Sequence, residues 1–229
     1  MSRTGYAEPA EAKITVDVIS DVVCPWCFIG MKRLEQALAM VPEVDVTVRW
    51  RPYQLDATIP PEGMPRRDYM LAKFGSEERV QQIHAQIAPL GEAEGIRFNF
   101  DAMEVAANTL DAHRLIRWAA SPKAPPGAQT QVVRRLFELN FEEARDIGDA
   151  SVLVETAAEC GLDAGLVETL LASPADRDAV KTEIETAGQM GVRGVPCFVL
   201  GGKYAVMGAQ DAETLADAIR KVAAEAAAG

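Results

Sequence analysis

The sequence predicts an α/β fold in which a sheet is interrupted by a large all-helical insertion. Three observations lead there: a strand, helix, strand unit near the N-terminus, a long block of helical patterns, and a hairpin followed by a helix near the C-terminus. With 229 residues, 48% of them hydrophobic and 25% charged, the chain is long enough to bury a full core without crosslinks.

The apolar run at 14–19 predicts the first strand, and a helical pattern occupies 28–40. Val44, Val46, Val48 and Trp50 fall on one side of an alternating stretch, the mark of a half-buried strand. Residues 51–65 are rich in proline and turn formers and read as a loop leaving the sheet. Helical patterns then run over 66–74, 76–91, 106–119, 129–145, 150–160 and 174–190. Ser76 followed by Glu77 and Glu78 opens one of them, Gly161 follows another, and Ser173-Pro174 precedes a third. A proline-rich linker at 121–127 separates two. The chain returns to a hairpin, 197–200 and 203–206 about Gly201-Gly202, and ends in a helix at 211–224 with Leu215, Ile219 and Val222 on one face. The expected division is 1–62 and 175–229 for the two parts of the sheet domain, with 63–174 as the inserted helical domain.

Lys and Arg number 23 against 34 Asp and Glu, a formal net charge of -11 that argues against nucleic acid as a partner. Arg66-Arg67 and Arg134-Arg135 read as solvated helix faces. Residues 1–13 lack the apolar stretch of a secretion signal, and no apolar run reaches transmembrane length. The expected location is the cytoplasm, with no membrane partner. In a reducing compartment a Cys-x-x-Cys reads as catalytic rather than structural.

Cys24-Pro25-Trp26-Cys27 stands between the first strand and its helix. At a helix start, unpaired N–H groups and the dipole favour a thiolate on the first sulfur. The second lies one turn on, where the two can close into a disulfide ring. A thiol with pKa ~8.5 is only about 7% ionised near pH 7.4, and one with pKa ~7 is mostly thiolate, roughly a tenfold gain in nucleophile. Pro-Trp adds no charge, so a weaker oxidant is expected than from a motif with a cation between its cysteines. Half of a zinc site is the competing reading, but zinc needs four ligands at matching spacings, and Cys160, Cys197, His84 and His113 are isolated. No metal and no cofactor are expected.

The motifs at 20–30 (Ser20-Asp21-Val22-Val23-Cys24-Pro25-Trp26-Cys27-Phe28-Ile29-Gly30), Asn108-Thr109 with Ala112-His113-Arg114-Leu115, Asp146-Ile147-Gly148-Asp149, and Gly194-Val195-Pro196 with Gly208-Ala209-Gln210 resemble thioredoxin-fold oxidoreductases of the DsbA type, in the FrnE-like branch. The resemblance covers most of the chain. It implies a thioredoxin fold split by the helical insertion, with Cys24 as attacking and Cys27 as resolving thiol, and substrates that carry thiols or disulfides. It also implies a cis Val195-Pro196 bond opposite the sulfurs, where the backbone at 195 can pair with a bound peptide. Without it, Pro196 reads as a trans proline starting an edge strand. Pro25, Trp26, Val195 and Pro196 are the expected substrate contacts, and a homodimer is compatible with the reading.

The nearest rival in the resemblance is the branch of kappa-type glutathione transferases and hydroxychromene carboxylate isomerases, where a serine typically replaces the first cysteine. This chain keeps both, which favours dithiol exchange and leaves glutathione open as a partner. Asn140 departs from the aromatic that related sequences often place there, which bears on the pocket on the helical side. A different class of reading is a peptide-binding chaperone with a vestigial cysteine pair. Cys197 follows Pro196 and reads either as a thiol near the site or as a small buried hydrophobe, and Cys160 as buried and structural. Asn108 and His113, five apart, point to different faces if both are helical. Phe28 reads as core.

Overall fold

The computed structural model describes residues 13–228, and the reading of residues 1–12 as free of a secretion signal lies outside them. β1 (Lys13–Ser20) crosses through α1 (Pro25–Ala39) to β2 (Asp45–Pro52), which runs parallel to it with Lys13 opposite Asp45 and Ser20 opposite Pro52. The chain then leaves the sheet. β3 (Met64–Pro65), α2 (Arg66–Phe74) and α3 (Glu77–Ala93) lead to a 3-10 turn at Phe100–Ala102 and to β4 (Val105–Ala106), which pairs antiparallel with β3. Five helices follow: α4 (Leu110–Trp118), α5 (Ala128–Phe141), α6 (Ala150–Glu159), α7 (Ala164–Leu171) and α8 (Arg177–Gln189). β5 (Cys197–Leu200) returns antiparallel to β1, β6 (Tyr204–Met207) pairs with β5, and α9 (Ala212–Ala228) closes the chain. The sheet order is β2-β1-β5-β6. The fold class read from the sequence therefore holds: an α/β sheet with a large helical insertion.

β1 is central and buries side chains on both faces. Ile14, Val16 and Val18 join the main core with α1 and α9, whereas Ile19 packs in a smaller one with Ala187, Val192 and Cys197. The free edge of β2 is covered rather than exposed. The Gln129 amide of α5 accepts from the Trp50 N–H at 3.1 Å and donates to the Trp50 carbonyl at 3.1 Å, while the indole N–H donates to Thr130 at 3.0 Å. An edge strand is thus satisfied by a helix of the insertion. A second tie is aromatic: Phe28 of α1 stacks on Phe137 of α5 at 5.0 Å and meets Phe98 and Phe141, so Phe28 is core.

Four local expectations need correction. The helix expected from 106 starts at Leu110, because Val105–Ala106 pairs with β3 and the side-chain Oδ1 of Asn108 accepts the Leu110 N–H at 3.0 Å. The sequence pattern places no element over 161–173, where Asp163 caps α7 by accepting from the Leu166 N–H at 3.0 Å. The segment 51–65 is not wholly loop: its first two residues end β2 and its last two form β3. Finally, Arg66 and Arg67 part company. Arg67 is solvated and donates to Glu77 at 2.7 Å, but Arg66 is half-buried and turned inward onto a cavity.

Candidate active site

β1 delivers the chain to the start of α1 through a turn in which the Cys24 N–H donates to the Asp21 carbonyl at 3.0 Å. Cys24 is the N-cap of α1, with extended backbone (φ -95, ψ 114) and no side-chain capping bond. Pro25 takes the first helical position, where its missing N–H costs nothing. Cys27 lies in the first turn, its N–H donating to the Cys24 carbonyl at 3.0 Å. Both cysteines are free thiols, and Cys24 is 4% and Cys27 1% exposed. Trp26 between them is exposed at the mouth of a cleft that Cys24, Pro25 and Val195 also line.

Across the cleft the Val195–Pro196 bond is cis, and the Cys24 thiol faces the Val195 carbonyl at 3.8 Å. The approach depends on Gly30. A Cβ built there would stand 2.8 Å from Cγ of Pro196 and 3.3 Å from Cζ of Phe198. A pyrrolidine ring packed in the core cannot swing aside, so overpacking at about 1–3 kcal/mol outweighs the ~1 kcal/mol that alanine gains in a helix. Gly30→Ala should lower the urea midpoint and widen the gap between Cys24 and Val195. Unchanged stability would overturn the close packing.

The two sulfurs differ in environment. Burial pushes the Cys27 thiol well above its ordinary value, and the neighbouring Cys24 adds to the rise, while the Ser20 hydroxyl and the Asp21 backbone oppose it. The thiol is harder to ionise in the fold than in the unfolded chain, so its contribution to stability is full below about pH 8.5 and is lost as pH climbs further. The urea midpoint of the reduced protein should therefore fall between about pH 8 and pH 10, and fall less in Cys27→Ala. Cys160 and Cys197, also raised by burial, are common to both proteins and cancel. Equal slopes would overturn the assignment.

The remaining candidates are placed as follows. Cys197 opens β5 and is fully buried in the smaller core, and Cys160 is buried at the end of α6. Asn108 precedes α4 rather than belonging to it, and donates to the Ile59 carbonyl at 2.6 Å while accepting from Gln54 at 3.2 Å. His113 meets the buried Asp21 carboxylate at 3.3 Å, and the other oxygen of Asp21 accepts the Leu55 N–H at 2.8 Å. Asn108 and His113 thus hold the 54–59 segment that walls the cleft, without touching a sulfur. Asn140 is buried on the helical side of the same cleft. Sequence reasoning missed Asp21 as the partner of His113 and Arg66 as a cleft residue. Among the described residues no group of three His, Cys, Asp or Glu is placed to hold a metal, and no helix is long and apolar enough to cross a membrane.

The family model described as DSBA-like thioredoxin domain matches residues 15–220. The uncharacterized protein YwbO of Bacillus subtilis is 29% identical over 192 residues, 82% of this chain and 87% of that protein. Among solved structures, a probable DsbA oxidoreductase of Streptomyces coelicolor is 34% identical with a TM-score of 0.82, covering 93% of this chain and 91% of its own. The cytosolic disulfide reductase DsbM of Pseudomonas aeruginosa, solved with GSH, is 20% identical with a TM-score of 0.61 over 92% of this chain and 96% of its own, a likeness of fold.

Proposed function

The chain belongs to the DSBA-like thioredoxin domain family, and from that premise we propose that it is a dithiol-disulfide oxidoreductase working through Cys24 and Cys27. One observation carries the reading: two free thiols share the first turn of α1, one facing the cleft and the Val195 carbonyl, the other buried behind it. Cys24 as thiolate attacks a substrate disulfide and forms a mixed disulfide, and Cys27 then attacks Cys24, releasing reduced substrate and closing the ring. The reverse sequence oxidises a substrate dithiol. The elevated Cys27 thiol suits the second role, because it stays protonated while Cys24 makes the first attack.

Pro25, Trp26 and Val195 line the cleft and Pro196 lies buried next to Val195; these four provide the substrate contacts of this reading, with the Val195 backbone facing a bound chain. The parts 1–62 and 175–229 bring the sulfurs and Pro196, and 63–174 brings the opposite wall. The substrates are protein thiols and disulfides, and the GSH in the DsbM structure supports glutathione as a small thiol partner. DsbM, described as cytosolic, also supports a cytoplasmic location. Turbidity of insulin reduced by dithiothreitol tests the activity, and equilibration in glutathione buffers tests the ring. Faster precipitation and a reversible Cys24-Cys27 disulfide are expected. No acceleration and no ring would remove the reading.

A further inference from the structure

The cleft does not end at the sulfurs. It continues beneath α2 and α3 as a cavity of about 370 Å³, large for trapped solvent at about 30 Å³ per water and within the ~300–1000 Å³ of small-molecule pockets. Its walls are largely apolar, with Ile59, Ile87, Phe100 and Phe141 among them. Among the polar groups that interrupt them, three stand out. Asn140 is 2% exposed and its Nδ2 has no hydrogen-bond partner, and the Nε2 of His84, whose ring stacks on Phe100 at 4.1 Å, is buried without one too. Arg66, half-buried, makes no ion pair among the described residues.

The carboxylates on the lining do not meet this demand. Asp21 is engaged by the Leu55 N–H at 2.8 Å and by His113, and Asp56 by the N–H and hydroxyl of Thr58 at 2.9 and 2.6 Å. Lys73, the other cation on the wall, donates to the Tyr69 hydroxyl at 2.7 Å. Burial lowers the Arg66 guanidinium from its ordinary value, yet arginine keeps its charge in proteins. The His84 imidazole is held down by burial and by Arg66, so it is neutral near pH 7. A cation partly withdrawn from water and an amide N–H without an acceptor are unfavourable as they stand. A planar carboxylate answers both, since it takes two parallel bonds from a guanidinium and keeps lone pairs for the amide.

We propose that this cavity receives a small organic disulfide with an aromatic body and a carboxylate, the carboxylate held by Arg66 and Asn140 and the disulfide presented to Cys24. The inference rests on the dithiol reading and adds its substrate class. Cys24 thiolate attacks the nearer sulfur, the S–S bond breaks, and one aryl thiolate leaves. Cys27 then gives its proton to solvent and attacks Cys24, expelling the second aryl thiolate. The cysteine pair loses two electrons, the ligand gains them, and a cellular dithiol restores the pair.

Single-turnover reduction of dithiobis(nitrobenzoate), with a carboxylate on each ring, is compared with that of uncharged dithiodipyridine by the pre-reduced protein. Arg66→Gln should lower the ratio of the two second-order rate constants at least tenfold, and Arg67→Gln on the solvated side should leave it in place. A ratio unchanged by Arg66→Gln, or lowered equally by Arg67→Gln, overturns the proposal. Calorimetry on the unaltered protein guards against misfolding of the variant: naphthoate should bind at least tenfold tighter than naphthalenemethanol, and equal affinity overturns the proposal. Insulin reduction in the same preparations separates the two readings. Its presence with equal affinities removes the pocket alone, and its absence together with an absent ring removes the dithiol chemistry.

Discussion

Cys24→Ser should abolish disulfide exchange, a fall of at least ~10³-fold, because a hydroxyl is not ionised near neutral pH and cannot replace a thiolate as nucleophile. Cys27→Ser should behave differently. Its first attack survives, since Cys24 still faces the cleft, but the intermediate has nothing to resolve it and accumulates as a mixed disulfide. Mass spectrometry after exposure to oxidised insulin should find the adduct on Cys24 in Cys27→Ser and on neither position in Cys24→Ser. The asymmetry follows from placement: Cys24 lines the cleft, whereas Cys27 lies 1% exposed behind it with a thiol that burial keeps protonated. Equal activity of both variants and the parent would remove the assignment, and adducts on Cys27 would reverse the roles.

Arg114→Met should cost about 3–5 kcal/mol, the range for breaking a buried charged network by removing one partner. Arg114 is 0% exposed, yet its guanidinium is fully engaged. Nε donates to the Ala175 carbonyl at 2.7 Å, Nη2 to those of Leu170 at 2.6 Å and Ser173 at 2.8 Å, and Nη1 to Asp111 at 2.9 Å, while the group lies 4.9 Å from the Trp118 ring centre. It closes the C-terminal end of α7 and ties the 170–175 segment to α4. Without it several carbonyls and a carboxylate lose their donors together. Thermal unfolding should move down by roughly 10 °C or more, and Arg114→Lys should recover only part, because an ammonium cannot span those directions. A shift under about 2 °C would show that the network is not structural.

What was legible in the chain was what neighbours along it decide. The periods of β1 and α1 locate a strand and a helix, and the two cysteines between them come out where a helix begins. The hairpin is equally local, because Gly201 and Gly202 both take positive φ at its turn. Arg66 and Arg114 were opaque for the opposite reason. An arginine on a helical pattern is mostly solvated, and only partners brought from elsewhere make it otherwise. For Arg114 those partners lie 56 to 61 positions away, and for His113 the Asp21 carboxylate lies 92 away.

By itself the sequence determined the order of the four main-sheet strands and of every helix but α7, without β3 or β4, and the adjacency of two thiols at a helix start, since these depend on short-range geometry. Only the tertiary structure decided that Arg66, His84 and Asn140 share a cavity with Cys24, because they come from three separate helices whose side chains meet through packing that no local period encodes.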